Sequence, residues 1–364
     1  MKKSLLILVA LIFVMVLSTA VQAADEPIDI TTYSFITKGP SGEDPTDSSA
    51  VVLSDEDVAA IQAGKFKVAL LMHESSDWVN AVLAGAKDRF AELGFEVVAV
   101  TDAEQDPNKQ RTDIETTLAL KPDVIVTLVI DTVSSSVALK QAVDQGVKVV
   151  LISNLPQNFV QGTDYVGIVT DDLYAMGKNV AEMIGDDLGG KGDVALMYHD
   201  ANYYVTNQRD EAVEAVLRKE YPEINIVTKR GIVNASDSEA LASAILTQFP
   251  NVQAIYAPWD VLAEGVVAAA RTAGNSNLGV YTIDIGANNA MDLAKGGNMK
   301  GIVADLPYEL GRTLGNMSGL AVLDKEAPAF VTVPAIKIKK DNLAAAWLES
   351  LNREVPAEIA AALQ

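Results

Sequence analysis

Short, almost unbroken apolar runs alternating with helix-period segments constrain this chain more than any other feature. The first runs fall at residues 66–72, 96–100, 123–130 and 147–152. Strands with one wet face alternate apolar and polar residues; these do not, so they read as parallel strands buried on both faces. Between the first two, Val79, Val82, Ala86, Phe90 and Leu93 recur at helical spacing, and Gly94 ends the helix. Pro107 suits the first turn of the next helix, with Ile114 and Leu118 on its buried face. Parallel neighbours require a crossover, so the series predicts βαβ units wound into an α/β sheet.

A second series follows residues 165–169. Strands are expected at 193–198, 224–228, 254–257, 280–283 and 299–304, with helices around 172–188, 206–219, 236–249, 261–273 and 288–294. A helix at 308–323, a strand at 330–338 and a helix from Asp341 or Asn342 complete the pattern. Two sheets of this size predict two doubly wound lobes. Their openings match: Val68-Ala69-Leu70-Leu71-Met72-His73-Glu74 precedes a polar loop with Trp78, and Val194-Ala195-Leu196-Met197-Tyr198-His199-Asp200 precedes one with Tyr203 and Tyr204. Both histidines of the chain thus sit at carboxyl ends of first strands, the edge where open α/β sheets bind ligands.

Ahead of this pattern, residues 1–23 read as a secretory signal. Lys2 and Lys3 precede an apolar run from Leu5 to Leu17, and Val21-Gln22-Ala23 offers a small-residue cleavage site. The run is short of the roughly 20 residues that span a bilayer. Export permits disulfides, yet the chain has no Cys, so neither a disulfide nor a diacylated lipid anchor is expected. Stability then rests on the core that the remaining residues bury. Residues 24–64 form an extension in which 39–45 are turn-like and Ser54-Asp55-Glu56-Asp57 resembles a capping box opening one short helix. The net charge of −21 excludes nucleic acid as an expected partner and otherwise reads as solubility.

Several chemistries are excluded by pattern. Gly185, Gly190 and Lys191 mimic a phosphate-binding loop, but Gly192 stands where Ser or Thr would hold Mg²⁺, so the segment reads as a helix-to-strand turn. No G-x-G-x-x-G opens a helix and no G-x-S-x-G is present. His73-Glu74 and His199-Asp200 lack metal-ligand spacing, and no cofactor or metal is expected. What collects at the strand ends suits a hydroxylated ligand instead. Trp78, Tyr203, Tyr204 and Trp259 offer flat faces, while Ser76, Asp77, Asp131, Asn154, Asn207, Arg209, Asp260, Asp284 and Asp305 offer polar groups. Asp260 also reads as a helix cap, a role not open to Asp284 or Asp305.

From residue 66 to about 340 the chain resembles the ribose-binding type of periplasmic solute-binding protein, the receptor of sugar ABC transporters. The resemblance rests on Ser75-Ser76-Asp77-Trp78, Asp106-Pro107, Lys121-Pro122-Asp123, Gln208-Arg209-Asp210-Glu211-Ala212, Pro258-Trp259-Asp260, Thr282-Ile283-Asp284 and Asp305-Leu306-Pro307 in that order. It implies two lobes joined by three crossover strands near Thr170-Asp171, Asp305-Leu306 and Pro334, with a ligand cleft between them. One lobe would comprise 65–170 plus 306–334 and the other 171–305 plus 335–364. It further implies that Trp78 stacks on the ligand and that Ser153-Asn154 occupies the place of an Asp-Arg pair. Asn207 would sit near a ligand Arg, Trp259 would replace a ligand Asn, Asp284 would match a ligand Asp and Asp305 would replace a ligand Gln.

The expectation is therefore a monomeric receptor, free in the periplasm, that closes on a small sugar or polyol and delivers it to a membrane permease without chemistry. His73 and His199 join its expected ligand contacts, with a pH-dependent grip if they titrate near their usual value. The alternatives are an exported sugar sensor and a carbohydrate-active enzyme using paired carboxylates among Asp77, Asp131, Asp284 and Asp305.

Overall fold

In the computed structural model, which describes residues 27–364, the apolar runs form two separate sheets. The expected signal segment, residues 1–23, lies outside the described residues. The first sheet holds β1 (Thr46–Asp47), β2 (Lys67–Met72), β3 (Glu96–Asp102), β4 (Val124–Thr127), β5 (Lys148–Ile152), β6 (Ile168–Asp171) and β12 (Phe330–Val333). The second holds β7 (Lys191–His199), β8 (Glu223–Ile232), β9 (Ala254–Ala257), β10 (Gly279–Ile283), β11 (Met299–Ala304) and β13 (Ile336–Ile338). The first is ordered β1-β12-β6-β5-β4-β2-β3 and the second β13-β11-β10-β9-β7-β8; only β13 runs antiparallel to its neighbour.

Helices cover both faces of each sheet. Around the first lie α1 (Asp55–Gly64), α2 (Asp77–Leu93), α3 (Pro107–Thr117), α4 (Thr132–Asp144) and α10 (Pro307–Val322). Around the second lie α5 (Leu173–Asp187), α6 (Tyr204–Glu220), α7 (Ser238–Gln248), α8 (Asp260–Thr272), α9 (Ala287–Ala294), α11 (Leu343–Leu351) and α12 (Ala357–Ala362). The buried strands explain the unbroken apolar runs. Val68, Leu70 and Met72 join a core with Val82, Phe90 and Leu314, while Ala69 and Leu71 join the opposite core with Ile114 and Leu139. In β7, Ala195 and Met197 face one core and Val194 and Leu196 the other.

β2 lies between β3 and β4, and β7 lies between β8 and β9, so strand order reverses at the same place in each sheet. The reversal opens a crevice beyond the strands' carboxyl ends. The chain passes between sheets three times: after β6, after β11, and at Pro334-Ala335. The single strand expected over 330–338 is accordingly two strands in different sheets. Pro334 fixes its own φ and removes a ladder donor, which suits the break.

Local signals are realised where expected. Ser54 and Asp57 form the capping box of α1, Gly94 ends α2 at φ 74°, and Pro107 opens α3 behind an Asp106 cap. The run from Gly189 to Lys191 turns α5 into β7.

The extension ahead of β2 touches both lobes. Its first part lies on the second: Ile28 N–H donates to Glu214 Oε1 at 3.3 Å, Lys219 Nζ sits 3.5 Å from the Phe35 ring centroid, and Tyr174 N–H donates to Thr37 Oγ1 at 2.9 Å. Thr37 also donates to Asp172, and the Tyr204 hydroxyl donates to the Lys38 carbonyl. Its second part lies on the first lobe, where β1 pairs with the edge of β12 and Asn316 Nδ2 donates to the Val51 carbonyl at 2.8 Å. This strap was not legible as such in the sequence.

Two glycines bring α2 and α10 into close apposition beneath the cleft. A Cβ at Gly85 would lie 1.9 Å from the Tyr308 carbonyl oxygen, and one at Gly311 would lie 2.1 Å from that of Val82. Backbone cannot yield as a flexible side chain can, so Gly311→Ala is expected to cost about 1–3 kcal/mol, read as a lower urea midpoint; an unchanged midpoint would contradict the apposition. For the strap, Thr37→Val combined with Tyr204→Phe removes hydrogen bonds worth about 1 kcal/mol each. Amides of residues 28–38 should then exchange faster with solvent while those of β2 and β4 keep their protection.

Candidate functional site

The crevices of the two sheets meet, and the side chains between them form one network around Arg209. Its guanidinium, 5% exposed, donates from Nε to Asp171 Oδ2 at 2.8 Å and from Nη1 to Asp284 Oδ2 at 3.3 Å. Asp171 ends β6, at the first crossover; Asp284 follows β10. Asp305 follows β11 at the second crossover, and both its oxygens accept from Trp78 Nε1 of the first lobe, at 3.0 and 3.1 Å. Asp284 adopts φ 67°, a left-handed conformation uncommon for a residue other than glycine. Departing from the strand direction there is the kind of local strain that recurs at functional sites.

Burial dominates the electrostatics. It raises the Asp284 carboxyl to about 6 against the opposing pull of Arg209, with Asp171 and Glu74 adding to the rise. Burial, reinforced by neighbouring carboxylates, also lifts Asp260 and Asp305 well above the usual range. Both imidazoles move the other way, burial disfavouring their charged forms. Neutral rings then serve as supports: His73 meets the Trp78 ring edge-on at 6.2 Å, and His199 meets Trp259 at 5.1 Å and Tyr203 at 5.4 Å.

The expected site residues divide into three groups. Trp78, Arg209, Asp284 and Asp305 are joined by the network, with Asp260 acting electrostatically on it. Trp259 and Tyr203 flank His199, and Tyr203 packs on the first lobe's core. A second group has its polar atoms engaged by the protein. Ser76 caps α2, accepting from Val79 N–H at 3.2 Å, and Asp131 caps α4, accepting from Ser134 N–H at 2.6 Å. Asn154 donates to the Val129 carbonyl at 3.0 Å and accepts from Val205 N–H across the lobes at 3.3 Å. Asn207 donates to the His199 carbonyl at 3.0 Å and accepts from Tyr203 N–H at 3.0 Å, bracing the loop between them. Third, Tyr204 points its hydroxyl to the strap, and Asp77 serves the lobe contact described below. Asp260 is the first residue of α8 rather than its cap, and Trp259 holds the cap position.

Asp171 and Arg353 were missed in the sequence. Asp171 carried a signal, an acid at a strand end beside a crossover. Arg353 carried none, since it lies far downstream of every motif. It pairs with Asp77, whose other oxygen accepts from Ala287 N–H, at the start of α9, at 3.0 Å. Lobe one thus caps a helix of lobe two, an arrangement favoured by the positive end of the helix dipole. Asn154 with Val205, and Trp78 with Asp305, add further hydrogen bonds between the halves. Among the described residues no cluster of three or more His, Asp or Glu side chains is arranged to hold a metal ion. A separate hollow of about 510 Å³ lies within the second lobe between β7, β8 and α6, lined in part by His199, Asn207, Glu211 and Lys229.

The periplasmic binding protein domain family matches residues 68–326. Among curated relatives, the chain is 23% identical to a xylitol-binding protein of Mycolicibacterium smegmatis over 76% of this chain and 78% of that one. It is 23% identical to a ribose import binding protein of Salmonella typhimurium over 76% and 90%, and 29% identical to a D-allose-binding periplasmic protein of Escherichia coli over 49% and 59%. Among solved structures, an ABC transporter solute-binding protein from Agrobacterium vitis bound with α-D-tagatopyranose superposes with a TM-score of 0.70 at 21% identity, covering 77% of this chain and 96% of that one. One from Bacillus halodurans with bound myo-inositol gives 0.68 at 17% identity, covering 78% and 98%.

Arg353 is 45% exposed and Asp77 25%, so their clasp is worth about 1 kcal/mol or less, with the Ala287 bond in addition. Asp77→Ala is expected to shift the ligand-free population toward open lobes, read as a larger radius of gyration in solution scattering. Arg353→Ala should produce a smaller shift in the same direction. Equal scattering from all three proteins would show that the clasp carries no weight.

Proposed function

The chain belongs to the periplasmic binding protein family, and on that premise we propose that it captures a small sugar or polyol between its lobes and delivers it to an ABC transporter permease. The observation that carries this reading is the network of Trp78, Arg209, Asp284 and Asp305, contributed from both sides of the crevice. A ligand touching all four favours closed lobes over open ones, and only such differential affinity can shift that equilibrium. Trp78 and Trp259 supply aromatic faces for the C–H surface of a sugar ring or polyol chain. Carboxylates and the guanidinium supply the polar contacts.

The relatives support a hydroxylated ligand, since the names they carry include xylitol, ribose and D-allose. Delivery to a permease, residence in the periplasm and export by residues 1–23 are inferred from the family and from the sequence of that segment. A sensory role would use the same closure and differ only in the partner that docks.

Thermal unfolding across xylitol, ribose, D-allose, tagatose, allitol and myo-inositol tests the reading. At 100 times its Kd a ligand adds about 2.7 kcal/mol of stability, so a true ligand raises Tm. A protein indifferent to this whole panel and to related sugars would argue against capture. With a ligand in hand, Asp284→Asn should weaken binding tenfold or more, since a hydrogen bond to a charged group contributes about 1.5–3 kcal/mol.

A further inference from the structure

The cleft offers many more acceptors than donors. Five carboxylates, Glu74, Asp171, Asp260, Asp284 and Asp305, act on one another, and Arg209 answers three of them, Asp171, Asp284 and Asp305. Arg209 already gives Nε to Asp171 and Nη1 to Asp284. The amides that would donate to a sugar oxygen each give one of their two N–H groups to the protein, Asn154 to the Val129 carbonyl and Asn207 to the His199 carbonyl. Trp78 Nε1 is held by Asp305. On the acceptor side, Asp284 Oδ1 is shielded from solvent and has no hydrogen-bond partner. Asp260 Oδ1 accepts from Val261 N–H at 2.8 Å, while its Oδ2 lies 2.5 Å from where a Gly286 side chain would begin. The same point is 3.8 Å from Asp77 Oδ2, at the rim where Arg353 already answers the Asp77 charge.

A neutral sugar fits this lining poorly. Each hydroxyl brings one donor and two acceptor lone pairs, and its acceptors would share few donors: what remains of Arg209, one further N–H on each of Asn154 and Asn207, and the His73 ring, whose Nδ1 has no partner. An ammonium group brings three donors and no acceptor. It also answers the uncompensated charge, because several carboxylates confined together out of water need either protons or a cation. The aromatic faces of Trp78 and Trp259 are compatible with such a group, since a ring face attracts a cation.

We propose that the ligand carries a protonated amine beside its hydroxyl groups, as an amino sugar or aminated polyol does, with the ammonium placed between Asp284 and Asp260. This rests on the sugar-capture reading and narrows it. The ammonium supplies donors to Asp284 Oδ1 and Asp260 Oδ2, while the hydroxyl groups use Arg209 and the remaining carboxylate oxygens.

Matched pairs test it by calorimetry on the full mature chain: 1-amino-1-deoxyglucitol against glucitol, glucosamine against glucose, and an aminated inositol against myo-inositol. In at least one pair the amine should bind tenfold or more tighter than its neutral partner. Asp260→Asn should erase most of that preference, and Asp260→Glu, which keeps the charge, should retain it. A neutral member binding as well as or better than its amine in every pair that binds would overturn the amine and leave sugar capture standing. Silence from both members of every pair, together with silence from the neutral panel, would overturn capture itself. An amine preference untouched by Asp260→Asn would remove Asp260 from the proposed position of the ammonium.

Discussion

The buried bridge from Asp171 through Arg209 to Asp284 is the constraint on which the arrangement of the site depends. A guanidinium 5% exposed between carboxylates 1% and 16% exposed cannot lose a partner without leaving a charge stranded in the interior. Breaking such a pair by removing one member costs about 3–5 kcal/mol. Asp171 ends the strand through which the chain leaves the first sheet, and Asp284 follows a central strand of the second. The same ion therefore fixes the crossover against the floor of the second lobe. Ser153 and Thr170 extend the support, their hydroxyls 2.8 Å apart with Thr170 donating to Asp171 at 3.0 Å.

Around that fixed point the lobes are joined by contacts of different strength. The crossovers are covalent, and the strap along residues 28–53 adds hydrogen bonds and an aromatic–cation contact beside them. Farther out, the Asp77 clasp is partly exposed and correspondingly weak. The proposed receptor, which opens as well as closes, requires this gradient. Strong ties near the axis leave rotation possible, whereas strong ties at the rim would trap the closed form without a ligand. The strap lies ahead of the residues matched by the family, so the tie it adds is one that the family comparison does not explain.

Much of the fold was legible because its signals are local. Unbroken runs such as Val68 to Met72 are the direct consequence of burial on both faces, and Ser54, Gly94 and Pro107 act within one helical turn of where they stand. The strand ends were legible for the same reason, and Trp78, Arg209, Asp284 and Asp305, singled out near them, lie in one network. What could not be read is what a polar side chain bonds once it reaches that edge. Asn154 and Asn207 have the chemistry of ligand contacts, yet backbone groups of the protein hold them. Tyr204 stands next to Tyr203 but faces the strap, Tyr203 being the extended cap residue of α6 and Tyr204 its first helical one. Arg353 reaches Asp77 across 276 positions of sequence, a separation at which no periodicity carries information.

The two histidines illustrate how environment overrides residue type. By sequence alone they are the groups most suited to a pH switch. Buried, both are pushed toward the neutral form, so charging either ring opposes folding, and that cost grows as pH falls through the unfolded value near 6.5. In the structure the two rings lie against Trp78 and Trp259. The groups whose folded values are moved toward neutrality are instead carboxyls, Asp284 at about 6 and Asp210 at about 7, both raised chiefly by burial. Each is more readily ionised in the unfolded chain than in the folded one, so stability from these groups declines as pH rises from about 4 toward those values. An ammonium in the cleft would reverse that for Asp284, because a cation beside a carboxylate favours its ionised form. The acidity that lowers stability at the cleft is thus the same property that would select a positively charged guest.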